Sequence, residues 1–242
     1  MPGPVNRIQG APVDGWWRRL GVRLCPARCL ACGETALAGA DLCPACTGAL
    51  PWNDAACGRC AVPLTMAAAS CGTCLQHPPP LQAAHAAFRY AAPVDRLLPR
   101  FKFHRDLAAG RLLADAMALR FAALPRPDAL LAVPLHQGRL RRRGYDQALE
   151  LARPLARALG LPLVCGALVR HRATAPQSEL DAAHRRRNLR GAFAVDRRVA
   201  LPDHVVLVDD VMTTGATLHA AAVALRRAGV ARVDAWVCAR VP

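Results

Sequence analysis

The 242-residue sequence has a single lysine, few aromatic side chains and no long apolar run. Its formal charge of +15 therefore comes almost entirely from arginine, with Lys102 as the one lysine. No apolar run approaches the roughly 18 to 20 residues that a membrane span requires, so we expect no membrane insertion. Aromatic residues make up 5% of the chain, which leaves few platforms for stacking unpaired nucleic-acid bases.

Two further absences concern location and nucleotide binding. The first 24 residues contain prolines, Asp14 and no apolar core of signal-peptide length, so we find no export signal and expect a cytoplasmic protein. The pattern G-x-x-x-x-G-K-[ST] does not occur, which excludes a Walker-type phosphate loop. Hydrophobic residues still make up 53% of the chain, which is enough for one mid-sized domain and a smaller one.

Cysteine, in contrast, is abundant and patterned. Nine of the eleven cysteines lie between Cys25 and Cys74, and eight of them form four Cys-x-x-Cys pairs. The last two pairs repeat the first two after a shift of 28 residues, which is an internal repeat. Two such pairs ten residues apart can converge on one tetrahedral Zn²⁺. The predicted ligands are Cys29, Cys32, Cys43 and Cys46 for one zinc and Cys57, Cys60, Cys71 and Cys74 for the other.

The predicted zinc ions are structural, because four thiolate ligands leave no open position for water or substrate. The alternative is a set of reduced or redox-active thiols. Cys25 has no partner in the repeat. Cys165 and Cys238 fall in strand-like apolar runs, where we expect small buried hydrophobic side chains.

The chain divides into four predicted segments: an N-terminal segment at 1–24, a double zinc ribbon at 25–76, a proline-rich linker at 77–84 and a larger domain at 85–242. Strand-like runs alternate with helical patterns in the larger domain. We predict strands at 83–90, 128–135, 161–170, 191–195, 204–210 and 231–239, and helices at 94–103, 106–123, 145–160 and 216–228. This alternation predicts an α/β fold with a mainly parallel sheet and helices on both faces.

Arginine is concentrated at 139–147 and 184–193. The planar guanidinium group can bind two phosphate oxygens at once, so these clusters suit either a polyphosphate substrate or a nucleic-acid backbone. A solvated basic face is the alternative. The second cluster lies in a polar connection of about 20 residues between two predicted strands, a length that suggests a functional segment.

The stretch VVLVDDVMTTGATL, at 205–218, carries the chemistry of the larger domain. Ligands of parallel α/β sheets bind at the carboxyl ends of the strands, where Asp209 and Asp210 fall. Gly215 lets the backbone approach a phosphate at the start of the next helix, and the neighbouring threonines add hydroxyl donors. Because carboxylates repel phosphate, the two aspartates should instead face sugar hydroxyls or the waters of Mg²⁺.

The string from Leu207 to Thr217 resembles the phosphoribosyl pyrophosphate (PRPP) signature of type I phosphoribosyltransferases, although an ordinary strand-to-helix turn can also contain Asp-Asp. The two cysteine repeats, followed in order by FKFHRDLAAGRLLA, AVPLHQGRLRRRGYDQALELA, PQSELDAAHRRRNLRGAF and LVDDVMTTGAT, resemble the ComF family of competence proteins. The resemblance extends from about Cys25 to the C-terminus. It implies a double zinc ribbon followed by a type I phosphoribosyltransferase domain.

The resemblance also implies roles for individual residues. Asp209 and Asp210 would be the catalytic pair that accepts hydrogen bonds from the ribose hydroxyls, and 177–188 would form a hood over the sugar. The implied phosphate and pyrophosphate contacts are Val211, Met212, Thr213, Thr214, Gly215, Ala216, Thr217, Lys102, Pro134, Leu135, His136, Arg139 and Arg143. A capping role for His136 and a solvated surface position for Lys102 remain alternatives. The sequence departs from the family at Asp146, which is usually asparagine, and at Gln137, which is commonly proline.

Three hypotheses follow. The chain is a phosphoribosyltransferase that uses PRPP and Mg²⁺ on an unknown acceptor; related folds also include regulators that bind PRPP without turnover. Alternatively, it is a DNA-uptake factor that binds single-stranded DNA through its basic loops and zinc ribbons, with PRPP as regulator and the competence helicase machinery as a partner. In the third hypothesis it is a zinc-stabilised scaffold with a vestigial ligand site.

The cysteine repeat predicts the metal content of the purified protein. We expect about two zinc ions per chain by elemental analysis, because each repeat supplies one complete tetrahedral set. A content well below two would contradict the assignment and favour free thiols.

Overall fold

The computed structural model describes residues 27–37, 39–171 and 191–242. They belong to two compact units, Met1–Ala49 and Leu50–Pro242. The predicted N-terminal segment, Cys25 and the predicted hood all lie outside the described residues.

The first unit holds the first cysteine repeat. A short helix, α1, spans Pro44–Gly48 and begins directly after Cys43. The Cys43 sulfur caps this helix by accepting a hydrogen bond from the Cys46 N–H, with 3.5 Å between N and Sγ. Proline suits the first helical position because its missing N–H would have no partner there. Local backbone geometry therefore orients the second Cys-x-x-Cys pair of this repeat.

The second unit contains the second cysteine repeat and a four-stranded parallel sheet in the order β1-β6-β5-β2. Its strands are β1 (Ala84–Arg89), β2 (Ala129–Ala132), β5 (His204–Met212) and β6 (Arg232–Arg240). A separate antiparallel pair is formed by β3 (Leu168–Arg170) and β4 (Phe193–Val195). The helices of this unit are α2 (Gly72–Gln76), α3 (Val94–Phe103), α4 (Leu107–Phe121), α5 (Gln137–Arg143), α6 (Gln147–Leu159) and α7 (Ala216–Arg227). The predicted parallel α/β fold is confirmed.

Helices cover both faces of the sheet, as the alternation of side chains along β6 shows. Val237 belongs to one core cluster with Leu218 and Leu225 of α7. Trp236 points the other way, where its ring lies 5.0 Å from that of Phe121 in α4. The strands are therefore buried on both sides, and a ligand can reach them only at their ends.

Three differences from the sequence prediction have physical reasons. Strand β5 continues past both aspartates to Met212, because parallel pairing with β6 extends to Arg240. The arginines at 139–143 lie in helix α5, which was not predicted because its sequence lacks the apolar stripe that marks amphipathic helices. Cys165 is exposed, contrary to prediction, because the predicted strand is interrupted around it: Leu163 forms a single bridge to Leu130 of β2, and regular pairing resumes only at Leu168–Arg170.

Other local features match their prediction. Helix α6 ends at Gly160, whose left-handed φ of +60° closes the helix as expected of a C-terminal glycine. Cys238 is fully buried in β6. None of the helices in the described part of the chain is long and apolar enough to cross a bilayer.

The contact between α3 and α4 predicts an unusual response at Gly110. Alanine normally stabilises a helix interior relative to glycine. Here a Cβ would lie 2.5 Å from Cε2 of the buried Phe101 ring. We expect Gly110→Ala to lower the free energy of unfolding by about 1 to 3 kcal/mol in chemical denaturation.

A double-mutant cycle supplies the control for Gly110. In a Phe101→Leu background the clash is relieved, so the added methyl should cost much less than in the unmodified protein. An equal cost in both backgrounds would show that the Phe101 ring is not the cause.

Candidate functional site

The loop after β5 has the geometry of an anion-binding turn. Gly215 precedes α7 with a left-handed φ of +74°. A Cβ at this position would lie 2.6 Å from Cε of Met212, so a larger residue would displace the loop. No side chain caps the N-terminus of α7. Helix N-termini in this position bind phosphate through backbone N–H groups and the positive end of the dipole.

The two adjacent aspartates face opposite sides of β5, because successive strand residues alternate. Asp210 lies on the side of α3, where its Oδ2 is 2.7 Å from Nζ of Lys102. Its residue is only 6% exposed, so this is a largely desolvated ion pair. Asp209 lines the cavity of the loop at 211–217 as well as the pocket that contains Lys102 and Asp210. The two carboxylates that look equivalent in sequence therefore have different surroundings.

The charge of Asp209 is disfavoured in the folded protein. Burial raises the pKa of its carboxyl to about 8, and the negative charge of Asp210 acts in the same direction. The Lys102 ammonium and the N–H of Asp210 oppose the shift without cancelling it. A carboxyl in this state gains more than an ordinary one from a cation or from hydrogen-bond donors brought by a ligand.

One pocket brings most of the predicted site residues together at the carboxyl ends of β2 and β5. Its predicted members are Lys102, Pro134, Leu135, Arg139, Arg143, Asp209, Asp210, Val211 and Thr217. An adjoining cavity is lined by Asp209 and the loop, including Met212, Thr213, Thr214, Gly215 and Ala216. Groups drawn from five separate stretches of the chain therefore converge on one site, as the parallel topology requires.

His136 does not line either cavity. Its Nδ1 accepts a hydrogen bond from the Gly138 N–H at 3.1 Å, which makes it the N-cap of α5. His136, which was predicted to contact the ligand, therefore has the helix-capping role that was named as the alternative.

The same pocket includes residues to which the sequence analysis gave no role in binding. Asp146 accepts hydrogen bonds from the Leu135 N–H at 2.9 Å and the Leu149 N–H at 3.2 Å. Its carboxylate thereby joins the turn after β2 to the start of α6. Burial raises its pKa. Gln147 accepts a hydrogen bond from Nη1 of Arg143 at 2.8 Å and holds that guanidinium beside the cavity.

Arg170 is the pocket residue that gave no signal in the sequence. It lies in β3, is 6% exposed, and its guanidinium is 5.5 Å from the centre of the Phe193 ring in β4. Burial lowers its pKa, and the nearby charge of Arg139 adds to this effect. An arginine in a three-residue strand could be recognised as a pocket residue only from its position in the fold.

Both sets of four cysteines are assembled. Within each set the sulfur atoms all lie within 4.8 Å of one another. The Sγ atoms of Cys32 and Cys43 are 3.8 Å apart, as are those of Cys60 and Cys71. A tetrahedral zinc with Zn–S bonds of about 2.3 Å requires S–S distances of about 3.8 Å. The two clusters are consistent with structural zinc ribbons.

Backbone N–H groups favour the thiolate form that zinc requires. The Cys71 N–H donates to Sγ of Cys57 at 3.1 Å. Burial alone would raise the pKa of Cys57, but the N–H groups of Arg59, Cys60 and Cys71 outweigh it and lower the pKa to about 7. At Cys57, therefore, the backbone favours the thiolate form.

Comparison with known proteins identifies both parts of the chain. A double zinc ribbon domain matches residues 22–75, and a phosphoribosyl transferase domain matches residues 146–242. Part of the fold is also similar to glutamine PRPP amidotransferase from B. subtilis, with 23% identity over 54% of this chain and 26% of that one, at a TM-score of 0.38.

Relatives match almost the whole chain. The DNA utilization protein YhgH of Escherichia coli K12 is 37% identical over 225 residues, which are 89% of this chain and 97% of the relative. The protein of the same name from Salmonella typhi is 39% identical with the same coverage. Competence protein F of Haemophilus influenzae is 36% identical over 88% of this chain and 96% of its own length.

These matches confirm the resemblance that the motifs indicated. Because a double zinc ribbon precedes a phosphoribosyltransferase domain in a chain that aligns with competence protein F over nearly its full length, this chain belongs to the ComF family of competence proteins.

Proposed function

We propose that this protein binds PRPP together with Mg²⁺ at the carboxyl edge of its sheet and transfers the phosphoribosyl group to an acceptor, in the service of DNA uptake. The observation that carries the proposal is the composition of two adjoining cavities. One contains Asp209 and the cations Lys102, Arg139, Arg143 and Arg170, and the other contains Asp209 and the phosphate-type loop. PRPP carries a phosphate, a sugar with hydroxyl groups and a diphosphate. These three parts match the loop, the Asp209 carboxylate and the cations, respectively.

The match assigns each part of PRPP to one part of the site. The loop at 211–217 would hold the 5-phosphate through backbone N–H groups. Asp209 would accept hydrogen bonds from the ribose hydroxyls, and their donation would favour its charged form. The three arginines would neutralise the diphosphate, for which their planar donor groups are suited.

The arginines would also act on the reaction itself. The bond between C1 of the ribose and the diphosphate oxygen breaks, and its electron pair leaves on the diphosphate. A bond from the acceptor then forms at C1. Guanidinium groups in place before the reaction stabilise the charge that develops on the leaving diphosphate. Mg²⁺ bound with PRPP would neutralise part of the same charge, and carboxylate oxygen is the ligand type that it prefers.

The relatives' names provide the link to DNA. They are called DNA utilization protein and competence protein F, and we assign this chain to the same process. A second candidate follows from the arginine-rich clusters: non-catalytic binding of single-stranded DNA, with PRPP as the regulator. The cluster at 139–143 partly lines the PRPP pocket, which favours a phosphate ligand there over a solvated basic face.

Calorimetry with PRPP and Mg²⁺ tests the proposal. Asp209→Asn should weaken PRPP binding by roughly tenfold to a hundredfold, because a charge-assisted hydrogen bond contributes about 1.5 to 3 kcal/mol. The matched control is Asp203→Asn, an exposed carboxyl at the opposite end of the same strand. Its affinity should equal that of the unmodified protein.

Failure of the unmodified protein to bind PRPP would overturn the proposal. Binding of single-stranded DNA that weakens steeply with salt, and that is unaffected by PRPP, would then favour a role in DNA binding alone. PRPP binding without pyrophosphate release, for any acceptor supplied, would favour regulation over transfer.

The pKa of Asp209 predicts a cost in stability. Its folded pKa of about 8 lies above the unfolded value of about 3.9, so ionisation of Asp209 opposes folding increasingly as pH rises toward 8. Asp209→Asn should therefore be more stable to unfolding than the unmodified protein. This difference in the free energy of unfolding should be larger at pH 8 than at pH 6 by about 1 to 2 kcal/mol. Denaturant titrations at the two pH values measure this difference.

Asp203→Asn is again the control and should show no such trend between pH 6 and pH 8. A stability difference for Asp209→Asn that does not change with pH would contradict the assigned carboxyl environment.

A further inference from the structure

The second cysteine cluster and the loop after β5 are joined by one buried arginine. Arg240 is the last residue of β6 and is 9% exposed. Because β6 is an inner strand, Arg240 pairs in register with Arg89 of β1 and with Met212 of β5. Its side chain therefore starts at the carboxyl edge of the sheet, beside the candidate site.

The guanidinium group of Arg240 binds both neighbours through their backbone carbonyls. Its Nε donates to the Cys60 carbonyl at 2.9 Å, and its Nη1 donates to the Met212 carbonyl at 3.2 Å. Nη1 also donates to the carbonyl of Val241, whose N–H in turn donates to the Met212 carbonyl at 3.0 Å. Cys60 is one of the four cysteines of the cluster, and Met212 is the last residue of β5. The arginine thus connects a predicted metal ligand to the strand end from which the phosphate-type turn starts.

Apolar packing follows the same path. Ala61, the residue after Cys60, is 1% exposed and belongs to one core cluster with Met212 and Ala216. The Met212 side chain in turn occupies the space next to Gly215, as its Cε lies 2.6 Å from where a Cβ of that glycine would be. A shift of the cysteine cluster would therefore be transmitted to the loop through packed atoms as well as hydrogen bonds.

The metal gives this link a direction. A structural zinc would fix the backbone of its cysteine ligands, and the Cys60 carbonyl is one of the acceptors that hold the Arg240 guanidinium. Zinc loss would release that carbonyl. The hydrogen bond to Met212 would then lose its anchor on the other side.

We propose that Arg240 is a positioning residue through which the second zinc cluster holds the loop at 211–217 in its ligand-binding conformation. The consequence is that the second cluster supports the ligand site as well as the fold. As far as the ligand is concerned, the inference rests on the proposed binding of PRPP. The contact between cluster and loop, however, can be tested without it.

Hydrogen–deuterium exchange of the zinc-loaded protein is the first measurement. Arg240→Met, which keeps the bulk but removes all donors, should speed the exchange of the 211–217 amides by about tenfold or more. Arg240→Lys, which keeps the charge but cannot reach both carbonyls in the same way, should show an intermediate increase. Removal of zinc from the unmodified protein should speed exchange in the same peptide.

Two controls separate this effect from general destabilisation. Arg89→Met removes an exposed arginine at the same level of the neighbouring strand and should leave exchange in the loop unchanged. Leu113→Ala truncates a buried side chain in α4 and should lower stability without selectively exposing the 211–217 amides. Zinc content is measured for every variant.

Calorimetry with PRPP and Mg²⁺ gives the second readout. Arg240→Met should weaken binding by roughly tenfold while Arg89→Met does not. Unchanged exchange in the loop of Arg240→Met, or an equal increase in Arg89→Met, would overturn the inference. If the unmodified protein does not bind PRPP but Arg240→Met still loses protection in the loop, the proposed function fails and the positioning role stands.

Discussion

Strand β5 is paired on both edges and covered on both faces, and this burial determines where chemistry can occur in the second unit. It lies between β2 and β6, and its side chains from Val205 to Val208 are fully enclosed. The polar side chains of β5 lie toward its two ends: His204 at the amino end is paired with Asp234, and two adjacent carboxylates lie at the carboxyl edge. Asp209, Asp210 and the turn into α7 all occupy that edge. The separation of a dry sheet from a polar rim is the general consequence of covering a parallel sheet on both sides.

Three of the charged side chains at this edge are held by a neighbouring group, whereas the charged form of Asp209 is disfavoured. Lys102 neutralises Asp210, and the buried carboxylate of Asp146 is held by backbone N–H groups. Arg143 is oriented by Gln147. Asp209 is the exception, since burial keeps its pKa near 8. Functional sites commonly retain such an unfavourable group, because the ligand supplies the interactions that the fold does not.

The second cysteine cluster belongs to the same compact unit as the sheet and is connected to the sheet's carboxyl edge. The hydrogen bonds of Arg240 make that connection, and Ala61 and Met212 belong to the same core cluster. Structural zinc in a small domain is usually explained by the lack of a sufficient core. Here the cluster also contributes atoms to the core of the larger sheet.

The sequence was sufficient for features that depend on residues close together in the chain. The spacing of the Cys-x-x-Cys pairs identified both metal sets, since the backbone of a knuckle brings each pair together locally. The order of an apolar run, two acids and Thr-Thr-Gly identified the strand, the turn and the helix start for the same reason. The alternation of strands and helices was enough to predict the parallel sheet.

Other features depended on side-chain direction and on contacts between distant segments. Asp209 and Asp210 look alike in sequence, and only the pleat of β5 sends one toward Lys102 and the other toward the loop. Cys165 was expected to be buried, but most of its predicted strand does not pair. Arg240 meets Cys60 across 180 positions of the chain.

The sequence by itself therefore determined the two sets of four cysteines, the fold class and the turn after β5, because local spacing and periodicity encode them. The tertiary structure alone decided which charges are paired, which arginines enter the pocket and how the second zinc cluster reaches the loop. Those contacts depend on the packing of several segments at once, which no local pattern records.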